Sequence, residues 1–186
     1  MITITSGLLQ QTERRDTKIS NTNKIVFLVG KQRAGKDTVA DLLVQHFGFT
    51  KMSLADKVKE VARDLFDMKG KDRGLLIQIG TKMREIQEDV WLEYLLNKTH
   101  PKTPIVIPDV RFPNEFKTLK DMGAISVRVD ASVDVRKFRE GYDEEFENDT
   151  TEEALVNHET DFTILNEGTL TQLFMTVYHL GETILE

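Results

Sequence analysis

The apolar run Ile25-Val26-Phe27-Leu28-Val29 passes directly into Gly30-Lys31-Gln32-Arg33-Ala34-Gly35-Lys36-Asp37-Thr38, and no other stretch restricts the fold so tightly. The G-x-x-x-x-G-K spacing, with a strand before it and helix-forming residues after it, is that of a phosphate-binding loop. Its terminal glycines let consecutive N–H groups curl into one concavity, and the following helix adds the positive end of its dipole. A polyphosphate fits such a cradle. Gly30, Arg33, Ala34, Gly35, Lys36 and Thr38 are its candidate ligands, with Lys36 reaching the β- and γ-phosphates as a mobile charge. The residue after the lysine, normally Ser or Thr, is Asp37. Its carboxylate either contributes to a magnesium site or caps the helix by accepting a backbone N–H.

At 186 residues the chain suits one core and is short for two ordinary domains. Hydrophobic residues make up 39% and charged residues 30%, and no apolar run approaches the ~18 residues of a membrane span; a membrane partner is not expected. A net charge of -6 argues against a broad nucleic-acid surface, which needs clustered Lys and Arg. There is no cysteine, which removes disulfides, thiolate catalysis and zinc–thiolate sites and suits a reducing, cytoplasmic setting. Residues 1–23 are polar, lack the plan of a signal peptide, and are expected to form a flexible extension.

Residues 24–186 read as one α/β domain. Val39, Leu42, Leu43 and Phe47 give a first helix that Gly48 stops. Ser53 is a candidate N-cap for a second helix carrying Val58, Val61, Ala62 and Leu65. A loop at 69–74, a short helix through Leu75, Leu76 and Ile79, a break at Gly80, and a helix with Trp91, Leu92 and Leu95 follow. Ile105-Val106-Ile107 has the character of a buried parallel strand. Then come a helix over 113–122, a strand over 124–130, a last strand at Phe162 to Leu165 and a closing amphipathic helix from Leu170 to Ile184. Strands separated by helices imply a parallel sheet covered on both faces, with ligands at the strands' carboxyl ends. The highly charged residues 131–160 read as a solvated, mobile lid.

Phosphoryl transfer asks for alignment, charge neutralisation and exclusion of water. Asp109, ending the Ile105-Val106-Ile107 strand, stands where a Walker-B-type acid would meet magnesium; the alternative is a cap for helix 113–122. Arg111 either clamps a phosphate bidentately or faces solvent. Lys59, Arg73 and Arg84 occupy the middle segment where a second substrate would approach. Trp91 is either a wall for a base or core, and Lys59 either a ligand or a solvated helix face. Arg136 and Arg139 either close over the transferring group or pair with the acidic run Asp143-Glu144-Glu145-Phe146-Glu147. No histidine has ligand spacing or a partner serine.

The loop sequence, Leu54-Ala55 ahead of Lys59, Ile79-Gly80-Thr81 with Arg84 and Trp91, Pro108-Asp109-Val110-Arg111-Phe112-Pro113-Asn114-Glu115, and Asn166-Glu167-Gly168-Thr169-Leu170 together resemble the deoxynucleoside monophosphate kinases of bacteriophage type, within the nucleoside monophosphate kinase-like P-loop group. The resemblance covers roughly residues 24 to 185, and the Gly-Lys-Asp-Thr ending of the loop is shared with that group. It implies a three-layer α/β/α P-loop fold with a lid, ATP and Mg²⁺ as donor, and a small-molecule deoxynucleoside monophosphate as acceptor; it leaves a homodimer open. By the resemblance Lys36 and Arg111 are phosphate contacts, Lys59 and Arg84 lie on the acceptor side, and the loop from Asn166 to Gly168 lies near the adenine; joined to the positional readings above, this gives Lys36, Asp109 and Arg111 as the catalytic set and Asp37 and Asp109 as the metal carboxylates. ATP falls to the loop with Arg136, Asn166 and Gly168, and the acceptor to Lys59, Arg73, Arg84, Trp91 and Arg111. The family's lid histidine with its following Ser/Thr and Glu is replaced here by Asp149-Thr150-Thr151-Glu152. Phosphomevalonate-type or dephospho-coenzyme A-type kinases and a non-catalytic nucleotide-binding regulator are the alternatives.

Overall fold

The computed structural model describes residues 2–4, 24–99, 103–147 and 153–186. Strand β1 (Ile2–Ile4) stands apart in sequence from β2 (Ile25–Val29), which feeds the phosphate loop and α1 (Lys36–Phe47). Strand β3 (Thr50–Lys51) precedes α2 (Leu54–Phe66), α3 (Arg73–Ile86) and α4 (Val90–Lys98). After β4 (Ile105–Ile107) come α5 (Pro113–Asp121), β5 (Ile125–Asp130), α6 (Val133–Lys137) and a 3-10 turn at Glu144–Phe146. Strand β6 (Phe162–Leu165) and α7 (Leu170–Leu185) close the chain.

The strands lie in the order β1-β6-β5-β2-β4-β3. Strands β6, β5, β2, β4 and β3 are mutually parallel, with Phe27 beside Ile107 on one side and Ser126 on the other. Because successive side chains on a strand point to opposite faces, β2 serves two cores. Val26 and Leu28 join Val127, Val129, Val106 and the inner faces of α1 and α7. Phe27 and Val29 join Ile105, Ile107 and the residues of α2 to α5, where Phe27 meets the Phe116 ring edge-on with centroids 5.1 Å apart. A strand apolar on both faces must be covered on both faces, which yields the α/β/α layering and exposes the carboxyl ends of β2, β4 and β5 along one edge.

Three local expectations change. Within the segment expected to be an extension, Ile2–Ile4 adds an antiparallel edge strand, with Ile2 opposite Ile164; the rest of 1–23 lies outside the described residues, as does the lid sequence Asp149-Thr150-Thr151-Glu152. Gly80 does not break α3, which runs through it. Its position is buried against α4, and its carbonyl accepts the indole N–H of Trp91 at 3.2 Å. The charged segment after β5 is not wholly solvated, since Arg136 is only 3% exposed. Among the described residues no helix is long and apolar enough to cross a membrane.

Candidate active site

The phosphate loop connects β2 to α1 at the carboxyl edge. Gly30 has φ 137°, and a Cβ there would lie 2.1 Å from the carbonyl oxygen of Val129 on the neighbouring strand. Gly35 has φ 107°, and its Cβ would lie 2.4 Å from Asn166 Nδ2. Only glycine meets both the backbone conformation and the close approach at these two positions. Arg33 adopts the left-handed region at φ 58°, an uncommon conformation for a residue with a side chain. Lys36 is the first residue of α1. Its ammonium donates to the carbonyl of Gly30 and, at 2.9 Å, to that of Lys31, so the charge is held across the mouth of the loop. Thr38 lies in the first turn of the same helix.

A second layer fixes the loop from outside. Asn166, beyond the end of β6 and 7% exposed, donates from Nδ2 to the carbonyl of Ala34 at 2.8 Å and from its backbone N–H to that of Asp130 at 2.7 Å. Arg139 donates to the carbonyls of Arg33 (2.6 Å) and Asn166 (2.8 Å). Buried Gln32 exchanges hydrogen bonds with the backbone of Asp143, donating to its carbonyl at 2.6 Å and accepting from its N–H at 3.3 Å. Lys31 pairs with Glu153 at 2.6 Å and Glu147 at 3.5 Å; the Glu153 hydrogen bond chiefly raises its pKa. The segment after β5 is thus seated on the loop. Of the two roles open to Arg136, the structure shows pairing with the acidic run: both Nη groups donate to Glu147, Nε to the Ala131 carbonyl and Nη1 to that of Gln32. Gly168 turns the chain toward α7, close against Gln172.

The two candidate metal carboxylates are engaged apart from each other. Asp37, 82% exposed in its side chain, pairs with Lys51 at 2.8 Å, and no side chain caps α1, whose N-cap is Gly35. Asp109 caps a helix, but it is α2 and not α5. Its Oδ1 accepts from Leu54 N (3.0 Å), and its Oδ2 from Ala55 N (2.9 Å) and Ser53 Oγ (2.8 Å). Ser53, expected to cap α2 itself, instead passes its hydroxyl to Asp109. Among the described residues no group of three or more His, Cys, Asp or Glu could hold a metal. Magnesium asks for no such group, since one or two carboxylates with phosphate oxygens and waters suffice.

On the acceptor side, Arg84 near the end of α3 reaches the loop before α5. Its Nη2 donates to Glu115 Oε1 at 2.9 Å, and its guanidinium lies 4.1 Å above the Phe112 ring. Glu115 Oε2 accepts the backbone N–H groups of Arg111 (3.1 Å) and Phe112 (3.2 Å). Burial pushes the Glu115 carboxyl up in pKa, against the pull of Arg84. Arg111 lines a cavity of about 130 Å³ together with Gly30, Lys31, Arg128, Asp130 and Leu155. Arg73 pairs with Asp143 at 3.4 Å, joining the start of α3 to the segment over the loop. Trp91 is core: it is 3% exposed and its indole N–H is satisfied by Gly80, so it presents no face to a base. Lys59 lies on the solvated face of α2, paired with Asp56.

Glu115, Arg128 and Gln32 take part in this arrangement without a role assigned from sequence. Only Glu115 carries a local signal: following Phe112-Pro113-Asn114, it has the N3 position of a helix begun by proline at N1.

The model of the deoxynucleotide monophosphate kinase family matches residues 24–82 and 73–177. The chain belongs to that family. A candidate deoxynucleotide monophosphate kinase of Acanthamoeba polyphaga mimivirus is 25% identical over 142 residues, spanning 57% of this chain and 73% of that protein. Among solved structures, shikimate kinase from Acinetobacter baumannii superposes with TM-score 0.56 at 17% identity, covering 88% of this chain and 95% of the other. Thymidylate kinase from Candida albicans gives 0.53 at 10% identity, covering 89% and 94%. These two establish the fold as that of P-loop kinases; family membership makes the chain a phosphotransferase acting on nucleotides.

Proposed function

We propose that this family member transfers the terminal phosphoryl group of ATP to a deoxynucleoside monophosphate, with the triphosphate in the loop at Gly30 to Thr38 and the acceptor phosphate beside Arg111 and Arg84. The convergence of Gly30 and Lys31 from the loop with Arg111 from the end of β4 around one cavity carries this reading. A donor phosphate and an acceptor phosphate must approach within bonding reach. Lys36 neutralises charge on the donor, and leaves the carbonyls of Gly30 and Lys31 for phosphate oxygens when ATP arrives. Arg111 orients the acceptor and offsets its charge as the phosphoryl group moves. The loop suits a triphosphate, because its two glycines take backbone conformations that side chains oppose, φ 137° at Gly30 and 107° at Gly35, of the kind that curl consecutive N–H groups round a phosphate. Asp109, which keeps lone pairs beyond its three hydrogen bonds, and Asp37, in the first turn of α1, would hold magnesium through its water shell. Magnesium held there would offset the negative charge of the donor phosphates. The segment 131–160 acts as the lid that excludes water, a reading supported by the contacts of Asp143, Glu147 and Glu153 with Gln32, Arg73 and Lys31. The reaction belongs to the nucleotide pool of a reducing, cytoplasmic compartment.

The test separates the two substrates. Arg111→Ala should lower kcat/KM for the acceptor while leaving the affinity for a fluorescent ATP analogue close to that of the parent protein. Loss of analogue binding with acceptor kinetics intact would move Arg111 to the donor side and overturn the map.

A further inference from the structure

We propose that Glu115 is a positioning residue for the acceptor: one buried carboxylate that sets the direction of the Arg84 guanidinium with one oxygen and the backbone at Arg111 with the other. The inference rests on the reading above, in which Arg84 and Arg111 face the acceptor phosphate.

Glu115 is 1% exposed and its two oxygens have separate duties. Oε2 closes the first turn of α5 by accepting from Phe112 N and also holds Arg111 N. Phe112 has no acceptor with which to return the second half of a capping box, so the cap alone accounts for one oxygen. Oε1 leaves its own helix for Arg84, 31 residues away in sequence. Arg84 is then confined from two sides, by this ion pair and by the Phe112 face. The confinement carries a penalty, because Arg84 Nε is buried with no hydrogen-bond partner among the described residues and burial raises the Glu115 pKa against ionisation. A buried ion pair is a poor way to gain stability compared with apolar residues of the same volume, and an orphaned donor makes it poorer. What the arrangement does provide is a guanidinium held in one orientation and coupled to the backbone of the second arginine. A monophosphate dianion bound by two preset arginines loses less on binding than one that must order them itself.

The experiment compares parent, Glu115→Gln, Arg84→Ala and the double variant, in steady-state kinetics with each deoxynucleoside monophosphate and in titrations with a fluorescent ATP analogue. The glutamine oxygen can still accept from Arg111 N and Phe112 N, while its amide group turns a donor toward Arg84. Glu115→Gln should raise the acceptor KM tenfold or more, leave ATP-analogue Kd within about twofold, and add nothing to the acceptor KM of Arg84→Ala in the double variant. Parent-like acceptor KM in Glu115→Gln, with Arg84→Ala impaired, would make Glu115 a helix cap only and overturn the inference. An unimpaired Arg84→Ala would instead overturn the acceptor map beneath it. Should Glu115→Gln fail to fold, Glu115→Asp, which keeps the charge and draws it back by one methylene, must show the same acceptor-side rise; unchanged kinetics there overturn the inference equally.

Discussion

Arg136 and Glu147 face each other through two hydrogen bonds, Nη1 to Oε2 at 2.7 Å and Nη2 to Oε1 at 2.6 Å, and the same guanidinium holds the Gln32 carbonyl inside the phosphate loop. The pair therefore fastens the segment after β5 to the loop. Arg136 above all, with help from the Tyr142 hydroxyl, lowers the Glu147 carboxyl from 4.5 to about 2.

A depressed carboxylate pKa stabilises the folded chain fully above its unfolded value and progressively less as pH falls toward its folded one. Glu147→Gln should lower the unfolding free energy near neutral pH by about 1.5–3 kcal/mol, the range for a hydrogen bond to a charged group. The gap between parent and variant should begin to close below 4.5 and vanish near 2. Urea unfolding of both proteins across that window checks it; a gap independent of pH would show that the ion pair is not its source.

Trp91 supplies a second check. Trp91→Phe removes the hydrogen bond to Gly80 and part of a buried ring, so the protein should lose on the order of 1–3 kcal/mol of stability. Acceptor KM should stay at the parent value for every base. A base-dependent rise in KM would return the indole to the binding site.

The two acidic candidates should behave differently from each other. Asp109→Asn weakens the N-terminal cap of α2 and should reduce stability by about 0.5–2 kcal/mol, as well as raising the magnesium requirement. Asp37→Asn, being exposed, should leave the unfolding midpoint unchanged and raise the magnesium requirement alone. A magnesium titration of Asp37→Asn that overlays the parent's would leave Asp37 with its partner Lys51 and no role at the metal.

Much of this architecture is legible in the chain because local pattern and tertiary role coincide. The run Ile25 to Val29 is apolar on both faces, so it can only be a covered central strand, and Gly30 and Gly35 announce the loop that follows it. The Gly80 break was unreadable for the opposite reason: helix propensity disfavours glycine by about 1 kcal/mol, and the compensating contact comes from Trp91 on a different helix. Likewise the capping role open to Asp109 beside its place as a Walker-B-type acid points to the next helix in sequence, yet parallel pairing of β3 with β4 brings the start of α2 to it first. The β1 pairing with β6 joins segments at opposite ends of the chain, and no local spacing reports it. In the site, Lys36 and the loop are local and readable. The Arg84 to Glu115 link depends on how α3 meets α5, which the spacing within either helix cannot encode.

ADP release from ATP reports whether this chain phosphorylates deoxynucleoside monophosphates through Lys36. Parent protein and Lys36→Ala are compared with each deoxynucleoside monophosphate, alongside phosphomevalonate and dephospho-coenzyme A. The parent should show acceptor-dependent ADP release with at least one deoxynucleoside monophosphate and none with the other two compounds. Turnover in Lys36→Ala should fall by roughly 10²–10³, as when one preorganised electrostatic contact is removed, with circular dichroism unchanged. Release that ignores every deoxynucleoside monophosphate, or parent-like turnover in a folded Lys36→Ala protein, would contradict phosphorylation through Lys36.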